Sequence, residues 1–276
     1  MATCPMLING LAADMVPALD RGFAYGDGLF ESIRFIGSRA PLWPRHMQRL
    51  GESCLRLRLP APDAATLWRE ALAVSHGMQH AVVRITLTRG VGARGYAPPA
   101  TAQPTRVVAA FAPPRMAAAA YVEGIRMRVC VLRLAEQPAL AGMKHLNRLE
   151  QVLARAEWDD PEIAEGVLCA GDGRVISATM ANLFAVVDGQ LLTPALDHCG
   201  IAGVGRAEVL AACPQARITT LAMDALHAAS EIFLSSSVRG IVPVRSIASW
   251  QYVPGTVARR LQRHWRELGF PAEDAT

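Results

Sequence analysis

The sequence predicts a mixed α/β (α+β) chain in two domains, and three observations predict it. Its 276 residues suit one large domain or two of ordinary size. Strand-like and helix-like runs occur in both halves. Between the halves, Ala112-Pro-Pro-Arg-Met-Ala-Ala-Ala-Ala120 has the composition expected of a linker. The expected division is 1–114 and 121–276, with the linker at about 112–120.

Taken in order, Met6-Leu-Ile running into Asn9-Gly10 reads as a short strand entering a turn. Asp20 to Gly28 reads as a glycine-punctuated loop before a strand over Leu29–Phe35. After Pro44, apolar residues at Met47, Leu50, Cys54 and Leu57 recur at helical spacing, which puts His46 and Arg49 on one helix face. This is the one good helix expected before the linker. β-branched residues mark a strand over Ala81–Leu87, followed by the loop Arg89-Gly-Val-Gly-Ala-Arg-Gly-Tyr96. Beyond the linker, Arg126–Leu134 alternates as a strand. A helix is expected after Lys144, with Leu146, Leu149, Leu153 and Ala156 as its apolar stripe. Strands across 166–170, 174–176 and 182–187, a helix from about Gly205, a strand over Glu231–Ser235 and a last helix over about Val257–Leu268 complete the reading.

Composition narrows the function. Hydrophobic residues make up 51% and charged residues 19%, so the chain can bury a sizeable core and is neither a disordered tail nor a disulfide-stapled mini-domain. No apolar run approaches the ~18 residues needed to cross a bilayer. No basic start followed by an apolar stretch marks a secretory signal, and a cytoplasmic protein is expected. The net charge of +4 is small and its carriers are scattered, which argues against nucleic acid as a partner. Six cysteines, Cys4, Cys54, Cys130, Cys169, Cys199 and Cys213, show no Cys-x-x-Cys pair and read as small buried hydrophobes, with no metal site expected.

One count matters more than these. Of 28 basic residues, Lys144 is the single lysine. A guanidinium stays protonated at any physiological pH, whereas an amine that is buried or set beside other cations can lose its proton and serve as a nucleophile or base. A lysine surviving by chance in an Arg-biased composition is the plain alternative. Other segments have the same double reading. Gly203-Val-Gly-Arg206 ahead of an amphipathic run is an anion-binding helix start or an ordinary turn. Ser235-Ser-Ser237 at a strand exit offers hydroxyls to phosphate oxygens or simply ends the strand. Arg49 is a phosphate clamp or a solvated surface group, and Arg89, Arg94 and Tyr96 are a carboxylate-binding loop or a mobile one. His145 reads as a packing or orienting residue. Together, an amine, a helix start, hydroxyls and a distant arginine are the parts that hold pyridoxal phosphate.

Longer stretches then carry a resemblance. Asp20-Arg-Gly-Phe-Ala-Tyr-Gly-Asp-Gly-Leu-Phe-Glu31, His46-Met-Gln-Arg-Leu50 and Gly203-Val-Gly-Arg206 resemble, within a match from about Leu7 to Val244, the fold-type IV pyridoxal-phosphate enzymes, or class IV aminotransferases. The resemblance implies two α/β domains with pyridoxal 5'-phosphate between them, and a homodimer. It implies Lys144 as the Schiff-base residue, with Arg49, the backbone of Val204 and Gly205, and Ser237 on the phosphate. Arg94, with Arg34 or Tyr25, is assigned to substrate carboxylates. Three stretches, Gln137–Gln151, Arg89–Tyr96 and Ser236–Val244, look more like the family's lyase branch than its aminotransferases. The expected activity is therefore elimination from a small-molecule amine. The alternatives are transamination of D-amino or branched-chain amino acids, and a relative that binds cofactor with little activity. One departure stands out. In Val175-Ile-Ser-Ala-Thr-Met-Ala-Asn-Leu-Phe184, Ser177 occupies the place where the family carries the glutamate that pairs with the pyridine nitrogen. A carboxylate elsewhere, such as Glu31, is a candidate substitute.

Overall fold

The structure, a computed structural model, describes residues 5–271. Cys4 lies outside the described residues. The chain separates into two compact units, one of Met1–Pro113 with Met143–Asn147, the other of Pro114–Gly142 with Arg148–Thr276.

The first unit runs β1 (Met6–Ile8), β2 (Leu11–Ala12), α1 (Arg21–Tyr25), β3 (Gly28–Ile36), α2 (Trp43–Leu57), α3 (Ala64–Val74), β4 (His80–Thr88) and β5 (Thr105–Phe111). Its sheet has the order β2-β1-β5-β4-β3 and is antiparallel throughout. Successive side chains along a strand alternate faces. Leu29, Ile33 and Phe35 of β3, Val83, Ile85 and Leu87 of β4, and Val108 of β5 are buried. On the helices, Leu50, Cys54, Leu67, Ala71 and Val74 are buried likewise. Trp43 and Trp68 pack edge-on at 4.9 Å, and both lie against Phe35. The second helix, α3, was not expected from the sequence. Its cap is nevertheless present, because the Asp63 carboxylate accepts from Thr66 N–H at 2.8 Å. Arg21–Tyr25 also turns out helical inside the expected loop, and Asp20 caps it through Gly22 N–H at 2.8 Å.

The second unit runs α4 (Ala118–Val122), β6 (Ile125–Leu134), α5 (Leu149–Arg155), β7 (Ile163–Ala170), β8 (Val175–Ala178), β9 (Asn182–Val187), β10 (Gln190–Pro194), α6 (Val204–Ala212), β11 (Arg217–Thr219), α7 (Met223–His227), β12 (Glu231–Ser236), β13 (Gly240–Ile247), β14 (Trp250–Gln251) and α8 (Thr256–Glu267). Its main sheet has the order β11-β10-β9-β12-β13-β6-β7-β8, with parallel pairing of β13 to β6 and of β6 to β7. Leu183, Ala185, Ile232, Leu234, Val242 and Val244 lie in one buried cluster, whereas Phe184 and Phe233 stack at 5.2 Å in alternate positions of the same strands. β13 contains Pro243, a residue that locally argues against a strand. Pairing on both of its sides overrides that local preference.

Three expectations need correction. The helix after Lys144 is not core-facing along the proposed stripe. It begins only at Leu149, Ala154 is its buried residue, and Leu149 and Leu153 are exposed. The lysine segment, placed by its position in the chain with residues 121–276, instead packs with the first unit. The reason is backbone pairing. Phe30 N–H donates to Lys144 C=O at 2.9 Å, and Leu146 N–H to Gly28 C=O at 3.0 Å, so residues 144–146 extend the β3 edge. Most of the expected linker belongs to the second unit, and residues 118–120 of it are the first turn of α4. The five described cysteines are all buried and unpaired. Among the described residues, no helix is long and apolar enough to cross a membrane.

Candidate active site

Strand alternation divides the functional side chains of the first unit between two sheet faces. Glu31 points to the face covered by α2, where His46 and Arg49, three residues apart on that helix, both reach it. Arg49 Nε donates to Glu31 Oε1 at 2.9 Å and Arg49 Nη2 donates to Oε2, a bidentate clamp. His46 Nδ1 lies 2.7 Å from Oε2. Burial alone would raise the Glu31 carboxyl, but the Arg49 guanidinium and the His46 hydrogen bond outweigh it and hold the group at about 2. Burial pushes His46 the other way, below its ordinary value, and the nearby Arg49 and Lys144 charges add to that. A neutral His46 must then donate from Nδ1, because an ionised carboxylate only accepts. Its Nε2 is left buried without a hydrogen-bond partner. Glu31 therefore has both oxygens engaged, which leaves it a poor stand-in for the missing pyridine partner.

The opposite face carries Phe30, Ser32 and Arg34 of β3 beside Arg84 and Thr86 of β4. Lys144 Nζ sits 4.3 Å from the Phe30 ring centroid. Arg84 Cζ lies over the same ring at 4.1 Å. Two cations on one aromatic ring concentrate positive charge within the span of a small dicarboxylate. Burial lowers the Arg84 guanidinium, and no carboxylate of the described residues pairs with it. Sequence reasoning missed Arg84. The available signal was an arginine at the centre of an otherwise apolar strand, Ala81-Val-Val-Arg-Ile85. Arg34, which the sequence did single out, is buried on the same face.

The other two predicted substrate residues belong to the 89–97 loop and its support. Tyr25 OH accepts from Gly95 N–H at 3.0 Å, and its ring lies 5.6 Å from that of Tyr96. Arg94 is exposed. The loop is anchored from below: Arg21 donates to the carbonyls of Gly95 and Tyr96, while Asp27 accepts from both Arg21 and Arg89. Arg89 is thus a scaffold for this loop rather than one of its free cations.

In the second unit, Val204, Gly205 and Ser237 come together. A Cβ on Gly205 would meet the Ser236 backbone at 2.9–3.1 Å, so only glycine allows α6 to start this close to the end of β12. α6 begins at Gly203 without a side-chain cap, which leaves its first N–H groups for an anion. Asn182 sets that start: its Oδ1 accepts from Gly203 N–H at 3.0 Å and its Nδ2 donates to Ile201 C=O at 2.9 Å. Directly across from Asn182 in the β9–β12 register, the Ser235 hydroxyl is buried without a hydrogen-bond partner. Helix-start amides, hydroxyls and one orphaned serine oxygen form a donor set that fits a phosphate monoester. Ser177 is buried on β8, opposite Leu168.

This fold, with a lone lysine on a sheet edge and an uncapped glycine-flanked helix start, defines a class of protein. The Amino-transferase class IV family matches residues 28–247, and the chain belongs to that family, whose members use pyridoxal phosphate. Aminodeoxychorismate lyase of Vibrio harveyi is 37% identical over 264 residues, spanning 92% of this chain and 97% of that protein. The crystal structure of 4-amino-4-deoxychorismate lyase from Pseudomonas aeruginosa matches with a TM-score of 0.91 at 42% identity, covering 95% of this chain and 98% of that one. A putative branched-chain-amino-acid aminotransferase of Methanocaldococcus jannaschii is 30% identical, with 95% of each chain covered.

The Glu31 cluster has a definite acid signature. Its carboxyl is lowered from 4.5 to about 2 on folding, so its contribution is complete above the higher value and disappears as pH falls through the lower one. Urea unfolding of Glu31→Gln should therefore show the largest deficit against the parent above about pH 5, closing as the solution approaches about pH 2. A deficit independent of pH would refute the assignment.

Proposed function

We propose that the protein is an aminodeoxychorismate lyase, which eliminates pyruvate from 4-amino-4-deoxychorismate to leave 4-aminobenzoate for folate synthesis. The greater likeness to lyases than to aminotransferases, over nearly the whole chain, carries this reading. When bound, pyridoxal phosphate supplies an electron-withdrawing ring that accepts the electron pair released at the carbon bearing the substrate's amine. Lys144 Nζ is the group that would hold the cofactor and that, as a free amine, would move the proton from that carbon. Arg84 lies over the same Phe30 ring as Lys144 Nζ, which sets a second cation beside the amine. Arg49, the Val204 and Gly205 amides and the Ser237 hydroxyl are the donors for the phosphate. The Arg49 guanidinium is oriented by Glu31. Ser177, at the place of the ring-nitrogen partner, offers a hydroxyl where a carboxylate would keep that nitrogen protonated. Aromatisation of the product drives the elimination, which tolerates the weaker electron sink better than transamination does. Arg34, Arg94 and Tyr25, joined by Arg84, receive the substrate carboxylates.

The same reading makes the protein cytoplasmic, in keeping with its buried unpaired thiols. It also makes the protein a homodimer. Leu149, Val152 and Leu153 form an exposed apolar stripe on α5, with Val131 exposed on β6, a surface suited to a second copy. Sedimentation should give a dimer, and Val152→Glu with Leu153→Glu should shift it to monomer.

Pyruvate release followed with lactate dehydrogenase should be detected with aminodeoxychorismate, and Lys144→Ala should abolish both it and the visible absorbance of the purified protein. Conversion of an amino donor without pyruvate would assign transamination instead. Arg84→Gln should raise KM for the dicarboxylate substrate by about ten- to a hundredfold while lowering kcat less. Unchanged KM would remove Arg84 from the substrate site.

A further inference from the structure

The buried carboxylate of Glu165, on β7 of the second unit, has no part in the chemistry above. Its side chain is fully buried, and its partners come from two separate turns. Glu165 Oε1 accepts from Arg239 Nη2. Oε2 accepts from Thr179 Oγ1 and from Met180 N–H, the latter at 3.3 Å. Arg239 ends the turn that follows β12 and contains Ser237. Thr179 and Met180 form the turn between β8 and β9, with Ser177 before it and Asn182 after it. Each turn is also tied internally or to its neighbours. Ser236 Oγ accepts from Val238 and Arg239 N–H at 3.2 and 3.3 Å, Tyr121 OH donates to Arg239 C=O at 3.0 Å, and Thr179 N–H donates to Gly166 C=O at 3.1 Å. Glu165 joins the two turns through its side chain.

We propose that Glu165 is a positioning residue for phosphate recognition: through Arg239 it sets the turn carrying Ser237, and through Thr179 and Met180 it sets the turn leading to Asn182, which holds the start of α6. The inference rests on the reading of Val204, Gly205 and Ser237 as phosphate donors and adds the group that keeps them in register. Burying a carboxylate and a guanidinium is costly, and an apolar pair of similar volume would pack the same space. A charged pair with three donors directed at turns, rather than at core elements, suits the job of holding a geometry. The pairing also occupies Arg239, so the phosphate donors of this unit are neutral amides and hydroxyls.

The test compares binding of pyridoxal 5'-phosphate with that of unphosphorylated pyridoxal, measured by absorbance and fluorescence on protein stripped of cofactor. Their affinity ratio isolates the phosphate's share of binding, which general destabilisation would not move selectively. Glu165→Gln keeps the shape and the acceptor for Thr179 but drops the ionic hold on Arg239. It should reduce the ratio about tenfold or more, the scale of one lost charge-assisted hydrogen bond. If that variant does not fold, the double replacement Glu165→Leu with Arg239→Met restores an apolar pair, and the same loss of phosphate preference is expected. A ratio unchanged or increased in the folded variant overturns the positioning role while leaving the lyase reading intact. A parent protein with no preference for the phosphorylated form overturns both.

Discussion

The active-site reading of the first unit depends on one short stretch of backbone pairing. Two hydrogen bonds, Phe30 N–H to Lys144 C=O and Leu146 N–H to Gly28 C=O, dock residues 144–146 along the edge of β3. Side-chain alternation does the rest: with Lys144 opposite Phe30, its amine lies over the Phe30 ring, on the sheet face that also carries Arg34 and Arg84. Slipping the pairing by one residue would turn the lysine to the opposite face. Gly28 is part of this constraint, because a Cβ there would run into the Leu87 carbonyl and crowd Leu146.

Each unit also buries one carboxylate whose partners are arranged around a predicted binding group. Glu31 takes Arg49 by two nitrogens and fixes the tautomer of His46. Glu165 takes Arg239 and the Thr179–Met180 turn. Neither carboxylate is positioned to react. A buried ion pair contributes little net stability, but it narrows the geometries its members can adopt. Geometry is what the proposed lysine base and phosphate donors require, since small misplacements of positioned groups cost rate and affinity steeply.

Much of this was legible in the chain where local rules govern. The period of Met47, Leu50, Cys54 and Leu57 marks α2, and the strand runs of β3, β4, β6 and β12 stand out by alternation or by β-branching. The spacing of His46 and Arg49 puts them on one helix face, but nothing local says that Glu31, on another strand, is what they share. Asp63 ahead of Leu67, Ala71 and Val74 is a readable start for α3. β13 was hidden for a different reason: Pro243 disfavours a strand locally, and only the neighbours β12 and β6 make it one. The apolar residues after Lys144 suggested a buried helix face, whereas Leu149 and Leu153 are exposed and the helix starts later. Periodicity reports that a face is apolar; it does not report what covers it.

The sequence by itself determined the identities that chemistry demands: one lysine in an arginine-rich chain, glycine where α6 begins, serines at the end of β12 and Ser177 in place of a glutamate. These are properties of residue type, and residue type is what a sequence states. Only the tertiary structure decided which unit holds Lys144, that Arg84 shares its aromatic ring, and that Glu31 and Glu165 grip Arg49 and Arg239. Those outcomes come from pairings between residues far apart in the chain, settled by strand register and by the need to satisfy buried charge. No local pattern encodes them.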